Sequence, residues 1–238
     1  MSSEKLPSAN EVHIRFTRLD LEDDDQVRLE RRLAEEELSR AYRLKVELAR
    51  NRYVAGRAFL RETLASYLEV EPEDLLLGEG EWGKPYIAQG KGFGMLSFNL
   101  SHAAGLAVLA VSLKREVGID IEKTAKDLPY RNIARMFFSP REKDELFTLP
   151  QEEQLAAFYR CWSRKEAYLK GCGRGFSVPS DIFDVSLLPG HKPALIEHRQ
   201  SPGEPGRWSL MDIPVPQGFC AALAVEGSPP VIRTFPEN

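Results

Sequence analysis

Cysteine is scarce in this chain. Three occur in 238 residues, Cys161, Cys172 and Cys220, with no paired spacing and no histidine partners nearby. An odd, scattered set reads as reduced intracellular thiols and argues against a disulfide framework or a zinc site. Positive charge is not in excess either. The 32 Lys and Arg are outnumbered by 36 Asp and Glu, a net charge of −4. No global basic field therefore points to nucleic acid, although a local basic patch stays open. No apolar run approaches the roughly 20 residues that span a bilayer, and the opening MSSEKLPSANEVH has no apolar signal-peptide core. The expectation is a soluble, cytoplasmic protein that engages neither membrane nor nucleic acid. With 42% hydrophobic and 29% charged residues the composition is that of a globular chain. Its length suits one large domain or two of about 110–120 residues.

Two phosphate motifs are nearly present and then fail. Gly78, Gly80 and Gly83 spell G-x-G-x-x-G, and Gly78 to Lys84 spells most of a P-loop. A P-loop needs Ser or Thr after its lysine and a helix beyond it. Here Pro85 follows, then extended Tyr86-Ile87, which leaves a hairpin-like turn presenting Lys84.

What is present begins with a strand over Val12–Phe16. Residues 23–50 are densely charged and helix-forming, with Val27, Leu33, Leu38, Tyr42 and Val46 as a thin apolar stripe. Residues 51–69 continue as a stronger amphipathic helix through Val54, Ala58, Phe59, Leu64 and Leu68, and Pro72 ends it. Leu96, Phe98 and Leu100 alternate into Asn99-Leu100-Ser101-His102, and Leu106–Leu113 is the near-continuous apolar run of a buried strand. After a short helix at 130–138, Ser139-Pro140-Arg141-Glu142 is a capping box with Pro at the first helical position. A helix over 151–171 stops at Gly171, Gly173 and Gly175. Strands follow within 178–187, at 194–198, 208–213 and 219–225, and the tail is extended. The fold class expected is α+β, with two loosely echoing halves, 1–114 and 115–238.

The centre of the chain is VGIDIE at 117–122. Its period of two sets Asp120 and Glu122 on one strand face while the isoleucines enter a core. Two carboxylates about 7 Å apart along a strand repel unless a cation or a base-rich ligand lies between them. In the 151–171 helix, Glu166 and Lys170 share a face, anchored by Leu155, Phe158, Trp162 and Leu169. Three carboxylates without a Cys/His cluster suit a hard ion such as Mg²⁺ together with the oxygens of a phosphate. Taken singly, Asp-x-Glu is also the pattern of a solvated strand face, Glu166 and Lys170 that of a surface ion pair, and His102 that of a satisfied strand histidine.

The segments Gly83-Lys84-Pro85, FNLSH (98–102), GIDIE (118–122), FFSPRE (137–142) and WSRKEAYLK (162–170) together resemble the 4′-phosphopantetheinyl transferases. The length resembles the larger surfactin-synthetase-activator (Sfp) type rather than the half-length, trimeric holo-ACP synthase type. The resemblance runs from about residue 50 to 176. It implies transfer of phosphopantetheine from coenzyme A to a serine of an apo acyl or peptidyl carrier protein, by a monomer of two similar α+β halves with the active site in the cleft between them. Under that resemblance Asp120, Glu122 and Glu166 are the ligands of Mg²⁺, with Mn²⁺ as a substitute. Lys170 neutralises the pyrophosphate, Ser101 and His102 hold the 3′-phosphate with Arg52, and Lys84 and Pro85 lie against the adenosine end. Arg40, Arg43 and Lys45 are left without an assigned phosphate, and Glu142 fits the pattern FFS-x-x-E. The serine needs a base, which is Glu166 directly or through a metal-bound water. The carrier face is expected around Arg131, Arg135, Met136 and Phe137. Two alternatives remain on the residues alone, a Mg²⁺-dependent nucleotide diphosphate hydrolase and a non-catalytic coenzyme A-binding module.

Overall fold

The run Leu106–Leu113 becomes a strand buried along nearly its whole length, and the first sheet is built on it. The computed structural model describes residues 5–21, 23–175 and 178–235; the first four residues and the last three of the extended tail lie outside it. In chain order the elements are β1 (Glu11–Arg18), α1 (Asp23–Glu30), α2 (Glu35–Tyr42), α3 (Glu47–Leu68), β2 (Leu77–Glu79), β3 (Pro85–Ile87), β4 (Leu96–Ala103), β5 (Leu106–Leu113) and β6 (Val117–Lys123). There follow α4 (Tyr130–Phe137), α5 (Pro140–Thr148), α6 (Gln151–Cys172), β7 (Phe183–Val185), β8 (Leu195–His198), α7 (Glu204–Arg207), β9 (Trp208–Asp212), β10 (Phe219–Glu226) and β11 (Val231–Phe235). The class is α+β.

Two sheets carry the architecture, one ordered β11-β1-β5-β4 and one β6-β10-β9; the hairpins β2-β3 and β7-β8 stand apart. The tail strand β11 pairs parallel with β1, Val231 opposite Glu11, so the chain's last described strand lies in the sheet of its first. Val12, Ile14, Val108 and Ala110 of the first sheet share one core with Val117, Ile119, Ile121, Leu223 and Val225 of the second. Where β4 meets β6, side chains replace a backbone ladder. Asn99 Oδ1 accepts the Ile119 amide at 2.8 Å and Ser101 Oγ the Ile121 amide at 3.3 Å, satisfying edge N–H groups that burial would otherwise orphan.

The expected helix over 23–50 is corrected to two short helices and the first turn of a third, α1, α2 and the start of α3. The cause is tertiary. Glu37 accepts the Ala34 amide at 3.0 Å and, from α3, Arg57 Nε at 2.7 Å and Arg61 Nε at 2.5 Å. Arg61 also donates to the carbonyls of Pro72 and Leu75. Folding α2 back against α3 satisfies this nearly buried carboxylate, which one straight helix could not do. The break shifts the helical phase, so Leu29 and Ala41 join the predicted Leu33 in the core while the predicted stripe members Val27, Tyr42 and Val46 are exposed. In α3 the expected Val54, Ala58, Leu64 and Leu68 are core residues.

α6 lies directly on β6. A Cβ added at Gly118 would overlap the carbonyl oxygen of Ala167 and the backbone nitrogen of Gly171, and one at Gly171 would come within 2.7 Å of the Trp208 ring. Glycine at 118 is therefore what admits the helix at this depth. From beneath, the Lys165 ammonium, 2% exposed, donates to both oxygens of Glu142, 0% exposed, at 2.7 Å and to the Phe183 carbonyl at 2.8 Å. Glu142 also closes the capping box on the Ser139 amide. Among the described residues no helix is long and apolar enough to cross a membrane. Gly118→Ala should push α6 off β6 and lower stability by about 1–3 kcal/mol, read as a shift of the urea midpoint. An unchanged midpoint would show that the helix tolerates the displacement.

Candidate active site

The contact at Gly118 sets the helix turns carrying Trp162, Glu166 and Lys170 over the outer end of β6. Recurring every four residues, these three share one face of α6. Asp120 below them is 2% exposed. Its Oδ1 accepts from Lys170 Nζ at 2.6 Å and from Ser101 Oγ at 3.3 Å, while its Oδ2 is buried without a hydrogen-bond partner. Ser101 accepts in turn from Lys170 at 2.9 Å and from the Ile121 amide. One donor and two lone pairs are all a hydroxyl has, so the Ser101 hydroxyl is fully engaged within the protein. Glu122 accepts the Trp162 indole N–H at 3.0 Å.

Crowding of like charge follows. Burial, then the charges of Asp120 and Glu122, against the opposing pull of Lys170, push Glu166 up to about 7. Burial and Asp120 likewise raise Glu122, opposed by Trp162 and Lys170. The three carboxylates named from sequence are thus close enough to repel one another, although they come from a strand and a helix more than forty residues on. Among the described residues no group of three such side chains already stands as a metal cluster; Lys170 serves as the counter-ion to Asp120. The residues nevertheless fit a hard divalent cation. The donors are all carboxylate oxygens, one of them buried and unpartnered, and positive charge would relieve the repulsion that keeps the other two basic.

The remaining predicted residues flank this centre. His102 is exposed at the end of β4, yet its ring is sheltered enough for burial, then Lys170 and Arg52, to hold it below the usual imidazole range. His102, Lys170 and Arg52 thus share one electrostatic neighbourhood. Arg52 is gripped by Asp20 through two hydrogen bonds of 2.6 and 2.9 Å. Lys84 donates to Glu116 at 2.6 Å and to the carbonyl of Gly171 at 2.8 Å, tying the turn before Pro85 to the C-terminus of α6. Arg40 pairs with Glu79 and lines, with Arg43, Tyr53 and Arg57, a groove lined by none of Arg52, Ser101 and His102; Lys45 is exposed. Glu142 is enclosed in the scaffold. Sequence reasoning missed two hydrogen-bonding side chains, Asn99 and Trp162. The second had a visible signal, its spacing of four before Glu166.

Comparison with known proteins gives the family of the chain. The family profile described as the 4′-phosphopantetheinyl transferase superfamily matches residues 116–224, and that described as 4′-phosphopantetheinyl transferase, N-terminal, matches residues 22–114. The chain is 36% identical to the 4′-phosphopantetheinyl transferase HetI of Nostoc sp. over 92% of its own length and 89% of that protein. It is 36% identical to a 4′-phosphopantetheinyl transferase of Bacillus subtilis over 61% and 67% of the two chains. It is 34% identical to the 4′-phosphopantetheinyl transferase Sfp of the same species over 58% of each.

A carboxyl whose pKa is raised on folding prefers its proton in the native state. The metal-free protein should therefore lose roughly 1–3 kcal/mol of stability as pH rises from about 4.5 to about 7. Glu166→Gln should flatten that decline in thermal unfolding, and an unaltered slope would assign it to other groups.

Proposed function

Because the chain belongs to the 4′-phosphopantetheinyl transferases, Sfp-like in kind, we propose that the junction of β4, β6 and α6 is where coenzyme A and a divalent cation meet. The enzyme moves the 4′-phosphopantetheine group of coenzyme A onto a serine hydroxyl of an apo carrier protein, giving the holo carrier and adenosine 3′,5′-bisphosphate. The observation that carries the site reading is the buried, unpartnered Asp120 Oδ2 amid the crowded Glu122 and Glu166.

Asp120, Glu122 and Glu166 would hold Mg²⁺, or Mn²⁺ in its place, which when bound supplies positive charge to the pyrophosphate. Lys170, a counter-ion already within the site, moves from Asp120 to the charge that develops on the phosphoryl oxygens as the bond to the leaving bisphosphate breaks. Glu166, directly or through a water, receives the proton of the serine hydroxyl as the new oxygen–phosphorus bond forms. His102 and Arg52, with the Ser101 hydroxyl turned inward, are the groups left facing the 3′-phosphate. Lys84 and Pro85 bound the adenosine end through a turn that the α6 carbonyl holds in place.

The carrier, a protein of acidic surface, meets α4. There Met136 is 72% and Phe137 40% exposed, beside the exposed guanidinium groups of Arg131 and Arg135. An apolar centre with a basic rim fits such a partner, although the enzyme as a whole is acidic. We place the enzyme in the cytoplasm, acting as a monomer.

Incubation with coenzyme A, Mg²⁺ and apo carriers tests the assignment, since mass spectrometry must show one phosphopantetheine added to a carrier serine. Asp120→Ala, Glu122→Ala and Glu166→Ala should each cut transfer by about 10²-fold or more with the circular dichroism unchanged. Near-normal turnover by any of them removes that residue from the metal site. Charge reversal at Arg131 and Arg135 together should raise KM for the carrier roughly tenfold and leave KM for coenzyme A in place. Equal effects on both would move the docking face elsewhere.

A further inference from the structure

Trp162 is bound at two ends. Its indole Nε1–H donates to Glu122 Oε1 at 3.0 Å. Its ring lies near-parallel to Phe158, centroids 5.9 Å apart at 19°, and edge-on to Phe137 at 5.7 Å and 81°. The aromatic contacts fix the plane of the indole, and the plane fixes the direction in which its single polar hydrogen points. Packing alone does not require that hydrogen, because a phenyl ring could meet the same two neighbours. What tryptophan adds at this position is the donor.

A carboxylate that holds a hard cation is commonly hydrogen-bonded itself, and that second bond decides which oxygen and which lone pair are offered to the ion. Glu122 has the strongest need of such a bond. It stands at the outer end of β6, less buried than Asp120, and repulsion from Asp120 tends to swing its side chain away from the centre. A neutral donor on Oε1 opposes that swing without competing for the cation, as a lysine or arginine at the same place would.

We infer that Trp162 is a positioning residue, holding Oε1 of Glu122 so that Oε2 is presented to the cation. The inference rests on the reading of Glu122 as a ligand. It concerns order within the site before any substrate arrives, and it is measured on the protein alone.

Mn²⁺ binding without coenzyme A, followed by the electron paramagnetic resonance of the free ion, separates the two ideas. In the wild type, Glu122→Gln must weaken binding; if it does not, Glu122 is no ligand and the inference falls with it. Given that response, Trp162→Phe should weaken Mn²⁺ binding about tenfold. Its turnover should recover at saturating Mg²⁺, with KM for the carrier unchanged. Wild-type affinity in Trp162→Phe would overturn the inference while leaving Glu122 in its role. Should that variant fail to fold, the indole ¹H–¹⁵N resonance of Trp162 in the folded wild type gives the answer. It must move on addition of Mg²⁺ and shift in Glu122→Gln, and a resonance indifferent to both overturns the proposal.

Discussion

The backbone of one helix resting on the backbone of one strand governs this protein. At Gly118 there is no room for a Cβ between β6 and the turn of α6 that runs from Ala167 to Gly171. An ordinary helix-on-sheet contact is spaced by side chains on both surfaces, about 10 Å between layers. Removing the side chain at the crossing draws the helix inward. Glu166 and Lys170 then descend to the level of Asp120, and the Asp120 carboxylate is sealed beneath the helix to 2% exposure. Residues on either side of the contact are used to hold it there. Lys165 is buried on the far side against Glu142, and Arg164 reaches Asp212 with two hydrogen bonds of 2.6 and 2.8 Å.

From this constraint comes an electrostatic tension. Three carboxylates share a space with one ammonium group, and the protein relieves them only in part. Asp120 is paired on one oxygen and left bare on the other, while Glu122 and Glu166 bind protons more tightly than free carboxyls do. Burial of like charges costs stability unless something positive arrives. On the proposed reading, the cation is what completes this centre. Around it, Glu142 has Lys165 and the amides of Ser139 and Val185, and Asn99 and Ser101 cap the free edge of β6.

Much of the architecture was readable in the chain. Strands β1, β4, β5, β6, β9 and β10, the long helices α3 and α6 and the cap at Ser139 follow from period and capping chemistry; the stop expected at Gly171, Gly173 and Gly175 falls at Gly173, with Gly171 still inside α6. Where the reading failed, a distant partner was responsible. The charged stretch 23–50 has every local reason to be one helix, and it is broken because Glu37 is claimed by Arg57 and Arg61. The role of the tail strand was equally hidden, since an extended segment says nothing about which strand it will lie beside until β1 is seen to have a free edge.

Residue type and spacing alone determined which side chains could carry the chemistry: two carboxylates on a strand of period two, a third with a lysine one helical turn away. Local geometry suffices for that, because side-chain direction along a strand or helix is dictated by backbone repeat. Whether those groups meet was decided only in three dimensions, by a glycine contact between segments some fifty residues apart. The same holds for Ser101 turning inward, for Lys84 binding a helix end, and for the indole of Trp162 reaching Glu122. Each depends on which surfaces pack together, and packing is a property of the whole chain that no local period encodes.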